Sequence, residues 1–233
     1  MATRRLYAPG LYGLVGGIVN VYVLEHEAGV TVIDAGMPGL TRRILRLIRD
    51  IGHTPPDIKQ ILITHADVDH VGSLRPLADA TGATVYASAE TSRYIQRRRN
   101  PPHVKMPMVF FAEIVSFLFR RSAAVGHLVQ DGDRLDIAGG IQVIGTPGHT
   151  SDHMCYFWQA ERVLFAGDLF NNIHGLALTP HRITFNMEAA FESVRRVLEL
   201  NPAVICPGHG RVWLADNDPG RIAALLAAVQ GKS

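Results

Sequence analysis

The stretch Thr64-His65-Ala66-Asp67-Val68-Asp69-His70 directly follows the apolar run Ile61-Leu62-Ile63. It places two imidazoles and two carboxylates where a buried strand would end. A strand that ends this way aims several metal-grade donors at one point. Mixed imidazole and carboxylate donors suit zinc, iron or manganese.

Upstream of the cluster the chain reads as strands over residues 19–24 and 30–33, the second ending in Asp34-Ala35-Gly36. A helix fits 40–51, where Leu40, Ile44, Leu47, Ile48 and Ile51 recur at helical spacing with arginines between them. The cluster itself closes a strand over 58–64. A helix over 73–80 and a strand over 84–87 follow, giving a β-α-β rhythm that packs helices against a sheet.

Residues 90–127 break the rhythm. Arg93, Arg97, Arg98 and Arg99 precede Asn100-Pro101-Pro102, and the segment 109–119 holds four of the nine phenylalanines. As a helix that segment would be apolar on nearly every side, so something must cover it. It is too short to span a bilayer, and the expectation is an insertion that folds over the site or forms a homodimer contact. Beyond it, short strands are expected over 134–137, 141–146, 154–158, 163–166 and 204–206. Helices are expected over 188–200, capped by Asn186, and over 222–229.

Composition bounds the function. The 233 residues are 47% hydrophobic and 19% charged, a globular balance, and 1–233 reads as a single domain carrying the insertion. A net charge of +2 gives no reason to expect a polyanionic partner. The two cysteines, Cys155 and Cys206, make no disulfide framework and read as reduced, buried thiols, which suits a cytoplasmic protein. No apolar leader core follows the first residues, and no apolar run is long enough for a membrane span.

Five segments repeat one design, an apolar strand followed by polar residues. They are Ile33-Asp34, Ile63-Thr64-His65, Gly145-Thr146-Pro147-Gly148-His149-Thr150, Ala166-Gly167-Asp168 and Cys206-Pro207-Gly208-His209-Gly210. Strand ends along one sheet edge gather distant side chains into one cleft.

These motifs, in this order, resemble the metallo-β-lactamase fold superfamily over nearly the whole chain outside 90–127. The resemblance implies an α/β fold, a four-layer αββα sandwich with the metal site at one edge of two packed sheets. It implies a first metal held by His65, the residue at 67 and His149, and a second by Asp69, His70 and His209. Asp168 would bridge them, and Asp34 would support the ligand loops. Position 67 departs from the family pattern, which has histidine there. With Asp67 as ligand, three carboxylates and one hydroxide neutralise two divalent ions, which leaves a weaker field to acidify a bound water. The added oxygen donor also moves preference from zinc toward iron or manganese. Two zinc ions remain the first expectation.

The expected activity is a metal-dependent hydrolase that directs a metal-bound hydroxide, oriented by Asp69, at an ester, thioester, lactone or related small-molecule substrate. If Asp67 does not bind, His65, His149 and Asp168 form a two-histidine-one-carboxylate set. That would resemble a mononuclear non-haem iron dioxygenase of the persulfide dioxygenase type. A nucleic-acid-processing phosphodiesterase and a non-catalytic member are further alternatives; the mild charge speaks against nucleic acid. His153 is expected to face away or line the pocket wall. His174 and His181 are candidates for substrate contact or plain surface residues, and the Arg97–Arg99 run reads as a solvated helix face.

Overall fold

A computed structural model describes residues 6–15, 17–102, 114 and 121–230. Of the Phe-rich segment only Ile114 falls among them, so its expected covering or dimer role lies outside the described residues.

Two sheets face each other. The first runs in sequence order: β1 (Leu6–Ala8), β2 (Leu11–Leu14), β3 (Val21–His26), β4 (Gly29–Ile33), β5 (Ile58–Leu62), β6 (Thr84–Ser88) and β7 (His127–Val129). Its strands pair antiparallel up to β4 and parallel from β4 to β7. The parallel steps need crossovers, supplied by α1 (Thr41–Asp50) and α3 (Leu74–Thr81), with α2 (Val68–Val71) between them and α4 (Ala89–Arg97) after β6.

The second sheet contains β8 (Arg134–Leu135), β9 (Ile141–Gly145), β10 (Met154–Trp158), β11 (Val163–Asn172), β13 (Val204–Gly210) and β14 (Trp213–Leu214), with β12 (Ala177–Leu178) pairing on β11. Two helices, α5 (Met187–Leu198) and α6 (Arg221–Gln230), complete it. Asn186 caps α5 as expected, its Oδ1 accepting the Ala189 N–H at 3.1 Å.

Strand alternation sorts the side chains into three apolar layers. Val21 and Val23 point outward to Ile44, Leu47 and Leu77 of α1 and α3. Tyr22 and Leu24, one residue out of phase, point inward and meet Tyr156, Trp158 and Phe165 of the second sheet. Cys155 and Phe157 face the far side and pack on Val194 and Val197 of α5 and Leu225 of α6. The result is the four-layer αββα sandwich. A fully buried side chain such as Leu24 or Phe165 stabilises this frame by ~1.5–3 kcal/mol, against ~1 kcal/mol for a typical hydrogen bond. Packing therefore holds the frame, and the polar groups at its edge can serve a site.

The expected elements recur within a few residues, with differences of three kinds. β1, β2 and β7 were not expected, since each is short and carries no clear alternation. The rhythm does not stop at residue 90, because α4 continues the βα pattern. β11 and β13 run past their expected ends, to Asn172 and Gly210. They stay paired through the ligand motifs by shifting register at Gly167, where the backbone is left-handed (φ 45°). Among the described residues no helix is long and apolar enough to cross a membrane.

Candidate metal centre

The ligands expected from sequence converge at one end of the two sheets. His65 follows β5, and Asp67 stands at the start of α2, which carries Asp69 and His70. His149 lies between β9 and β10, Asp168 lies within β11, and His209 lies within β13. Asp168 is the hub. Its Oδ1 is 3.2 Å from His70 Nε2, and its Oδ2 is 3.1 Å from His209 Nε2 and 3.6 Å from His149 Nε2. Asp67 Oδ2 is 3.3 Å from His149 Nε2 and 3.5 Å from His65 Nε2. Asp69 Oδ2 is 3.4 Å from His209 Nε2 and 3.9 Å from His70 Nε2. Two clusters of potential donors result, His65, His149 and Asp168 in one and Asp69, His70 and His209 in the other, each with its donor atoms within 4.8 Å of one another.

Outer hydrogen bonds fix which nitrogen His65, His70 and His209 present. His70 Nδ1 donates to Asp34 Oδ2 at 2.8 Å, which leaves Nε2 bare toward Asp168. The Thr64 hydroxyl donates to Asp34 Oδ2 at 2.9 Å and so accepts from His65 Nδ1, also at 2.9 Å. Asp34 Oδ1 takes the Thr64 N–H at 2.9 Å. One buried carboxylate thus orients two ligands. Asp34 itself holds a left-handed backbone (φ 60°), a conformation that the short polar residues Asp and Asn tolerate. His209 Nδ1 donates to the Ile18 carbonyl, again leaving Nε2 inward.

The segment carrying His209 is clamped from the opposite sheet. Asn20 Nδ2 donates to Pro207 O at 2.8 Å and Gly210 O at 2.9 Å, Asn20 N–H donates to Gly208 O at 2.7 Å, and Tyr22 Oη donates to Pro207 O at 2.7 Å. Gly208 has no substitute here, because a Cβ would overlap Asp168 Oδ1 and crowd His70.

Of the two placements expected for His153, the structure sets aside the outward one. His153 immediately precedes β10, is buried, and stands behind the ligands rather than facing away. Its Nδ1 donates to Thr146 Oγ1 at 2.8 Å, and its Nε2 accepts the Asp168 N–H at 3.1 Å. Burial, then the neighbouring His65 and His149, push its pKa well below the usual imidazole value, so it stays neutral and keeps that acceptor. Asp152 holds the loop at the other side. Its Oδ2 accepts the Ala66 N–H at 3.1 Å and the Thr91 hydroxyl at 2.7 Å. Asn20, Thr64, Asp152 and His153 were not singled out as positioning groups; only the Asp152-His153 pair, three residues past His149, left a local trace.

The remaining expectations divide. Cys155 and Cys206 are free and buried, and burial pushes the Cys155 thiol up to about 12, so it is no nucleophile. Arg97 ends α4, and Arg97, Arg98 and Arg99 are exposed, as a solvated face requires. His174 and His181 are exposed and belong to neither donor cluster.

The donor set fits divalent cations. His65 Nε2, His70 Nε2 and Asp168 Oδ1 are buried and have no hydrogen-bond partner among the described residues. Leaving each such group unsatisfied costs ~1–3 kcal/mol. Without a cation the cluster draws protons instead. Burial opposes charging of His70, but Asp168, Asp34 and Asp69 outweigh it and raise its pKa well above the usual value. His209 is likewise pushed up to about 9, burial being outweighed chiefly by Asp168. Burial alone would raise Asp168, yet His70 and His209 hold it well below the carboxylate range. Carboxylates this eager for positive charge, beside imidazoles whose Nε2 atoms point at them, fit a cation site.

Residues 14–209 match the family described as the Metallo-beta-lactamase superfamily. The chain is 30% identical over 223 residues to "Uncharacterized protein YobT" of Bacillus subtilis (strain 168), covering 83% of each chain. It is 28% identical over 227 residues to "Probable metallo-hydrolase YflN" of the same organism, covering 87% of this chain and 84% of the relative. A solved structure described as the first B3 metallo-beta-lactamase with an active-site glutamic acid superposes with a TM-score of 0.73 at 25% identity, covering 100% of this chain and 90% of that one. The fold and its divalent-metal donor set define the class, and the chain belongs to the metallo-beta-lactamase superfamily.

Proposed function

We propose that this protein is a dinuclear metallo-hydrolase acting on an ester, thioester, lactone or related acyl substrate. The observation that carries the reading is Asp168, whose two oxygens lie within 3.6 Å of histidine Nε2 atoms from both donor clusters. Two divalent ions, zinc first among them, would there supply Lewis acidity and an activated water. His65, Asp67 and His149 would hold the inner ion and Asp69, His70 and His209 the outer one, with Asp168 shared.

Each residue then has a task of its own. Asp34, Thr64 and the Ile18 carbonyl engage Nδ1 of His70, His65 and His209 and so turn Nε2 of each inward. Asp69, whose side chain is 24% exposed, is the carboxylate that faces the open side. It is placed to accept a proton from an attacking water and to hold it at Oδ2 beside His209. His153 keeps the backbone of Asp168 fixed while that carboxylate is shared.

Asp67 in place of histidine supports a less positive centre. In the variant Asp67→His, the acid limb of the pH–rate profile is expected to move to lower pH. An unmoved limb would mean that Asp67 carries no charge to the centre.

The deciding experiment strips the metal with a chelator and follows hydrolysis of simple esters, thioesters, lactones and phosphodiesters before removal, after it, and after zinc, iron or manganese is returned. Acyl hydrolysis should vanish and return, with two ions bound per chain. Hydrolysis that survives complete metal removal would end the proposal. The His65, His149 and Asp168 cluster also supports a second reading, a mononuclear iron dioxygenase. One iron per chain with thiol-dependent oxygen uptake would replace the hydrolase with it.

A further inference from the structure

Two loops flank the outer half of the centre, and each is tied to one of its ligands. The loop between β2 and β3 carries Ile18, whose carbonyl takes the His209 Nδ1–H. The loop after β4 begins at Ala35, whose N–H donates to the His70 carbonyl at 2.8 Å, and continues through Met37. A groove of about 230 Å³ lies between these two loops, with walls that include Leu14, Ile18, Val19, Met37 and Leu40. Arg43, on the first turn of α1, is the one charged side chain among its lining residues. Arg43 is exposed, and none of the described ion pairs uses it.

Among the described residues five large hydrophobic side chains are exposed, and three adjoin ligand segments. Ile18, at 74% exposure, is one. Phe185, whose N–H donates to the His149 carbonyl, and Ile173, which packs its backbone against Gly210, are the others. The groove is smaller than the roughly 300–1,000 Å³ of a site that encloses a whole drug-sized ligand. It suits one arm of a substrate whose reacting carbonyl lies over the metal ligands.

We infer that this groove is the subsite for the apolar arm of the acyl substrate, and that the arm ends in an anionic group, a carboxylate or phosphate, facing Arg43. The inference rests on the hydrolase reading of the same centre. Ile18 then has two functions: its carbonyl orients His209, and its side chain guides the arm away from it. Leu14, Val19, Met37 and Leu40 exclude water from the alkyl portion. An exposed guanidinium adds only a modest increment, ~0.2–1 kcal/mol, so it selects among substrates rather than supplying their affinity.

The test uses the metal-loaded full chain and measures binding by calorimetry of decanoate, sebacate and the ω-phosphonate analogue of sebacate. Each can offer a carboxylate to the centre, and only the last two carry a second anion toward Arg43; the affinity of sebacate, which has two equivalent carboxylates, is divided by its statistical factor of two before comparison. Sebacate or the phosphonate should bind about threefold more tightly than decanoate, and the better of the two identifies the terminal group. Arg43→Met should erase the preference, while Arg46→Met, on the same helix but outside the groove, should retain it. Ile18→Ser should weaken all three ligands. Equal binding of the three by the unaltered protein, or a preference that survives Arg43→Met, overturns the assignment.

A parallel assay compares hydrolysis of the p-nitrophenyl ester of hexanoate with the mono-p-nitrophenyl ester of adipate. Diacid-selective binding without hydrolysis of either ester would remove the hydrolase reading and leave the groove. Metal-dependent hydrolysis without diacid selectivity would do the reverse.

Discussion

The two halves of the metal centre are built differently. His65, Asp67 and His149 are all at most 8% exposed, and the inner half is held by side chains: Asp34 through Thr64, and Asp152 on the loop backbone. Asp69 and His209 in the outer half have side chains 24% and 21% exposed, and the His209 segment is held through its own backbone carbonyls and that of Ile18. Side-chain carboxylates in a dry interior bind and orient strongly, because little water competes with them. Backbone clamps at a wet edge set position but add little charge. On the proposed two-ion reading, the inner half would be the tighter metal site, and the outer half, apart from the buried His70, the one nearer water and substrate.

Asp168 joins the halves, so its loss should erase the difference between them. Asp168→Ala is expected to lower affinity for both ions by on the order of 100-fold or more, read as metal content after dialysis. Retention of either ion at full occupancy would show that the halves are independent. Asp34→Ala comes next. Asp34 orients His70 directly and His65 through Thr64, so both ions should weaken by about 10–100-fold. A loss confined to one ion would mean that the Thr64 relay does not operate.

Asn20→Ala should distinguish the halves most clearly. It removes two hydrogen bonds to the His209 segment, leaving Pro207 O with the Tyr22 hydroxyl and Gly210 O without its Asn20 donor, at about 1 kcal/mol of stability each. Titration should show only the outer ion weakened, by about tenfold. Equal weakening of both would contradict the division.

The smallest effect is on pH dependence. In the metal-free protein the pKa of His209 is raised to about 9 from an ordinary value near 6.5. A raised histidine contributes stability that is fully present below about pH 6.5 and lost as pH rises through about 9. A divalent ion competes with that proton, so its affinity should rise over the same window. Thermal unfolding of the metal-free protein should therefore fall from pH 6.5 to 9 while the increment from added zinc grows. Parallel curves for both forms would show that His209 does not meet the outer ion.

Reading the chain alone picks out the candidate donors that the fold brings together and one of their supports, Asp34, but not the others. His65, Asp67, Asp69 and His70 are legible because they crowd one strand end. His149, Asp168 and His209 are legible because each follows an apolar strand at a glycine. Asn20 reads as an ordinary residue before a strand, and its partner Pro207 is 187 positions away. His153 reads as the start of a strand, and only the fold puts its Nε2 against the Asp168 backbone. The strands through Asp168 and His209 read as short because glycines interrupt them, yet parallel pairing absorbs the interruption as shifts in register.

What the sequence determined by itself is therefore local chemistry: which donors exist, which strand ends carry them, and which face of each strand is apolar. These follow from side-chain type and a period of two or of 3.6, which neighbouring residues suffice to define. Tertiary structure alone decided that Asp34 serves two histidines, that Asn20 and His153 brace the ligand segments, and that the outer half joins a buried His70 to the part-exposed Asp69 and His209. Those properties depend on distances between residues far apart in the chain, which only the packing of the two sheets brings within hydrogen-bonding range.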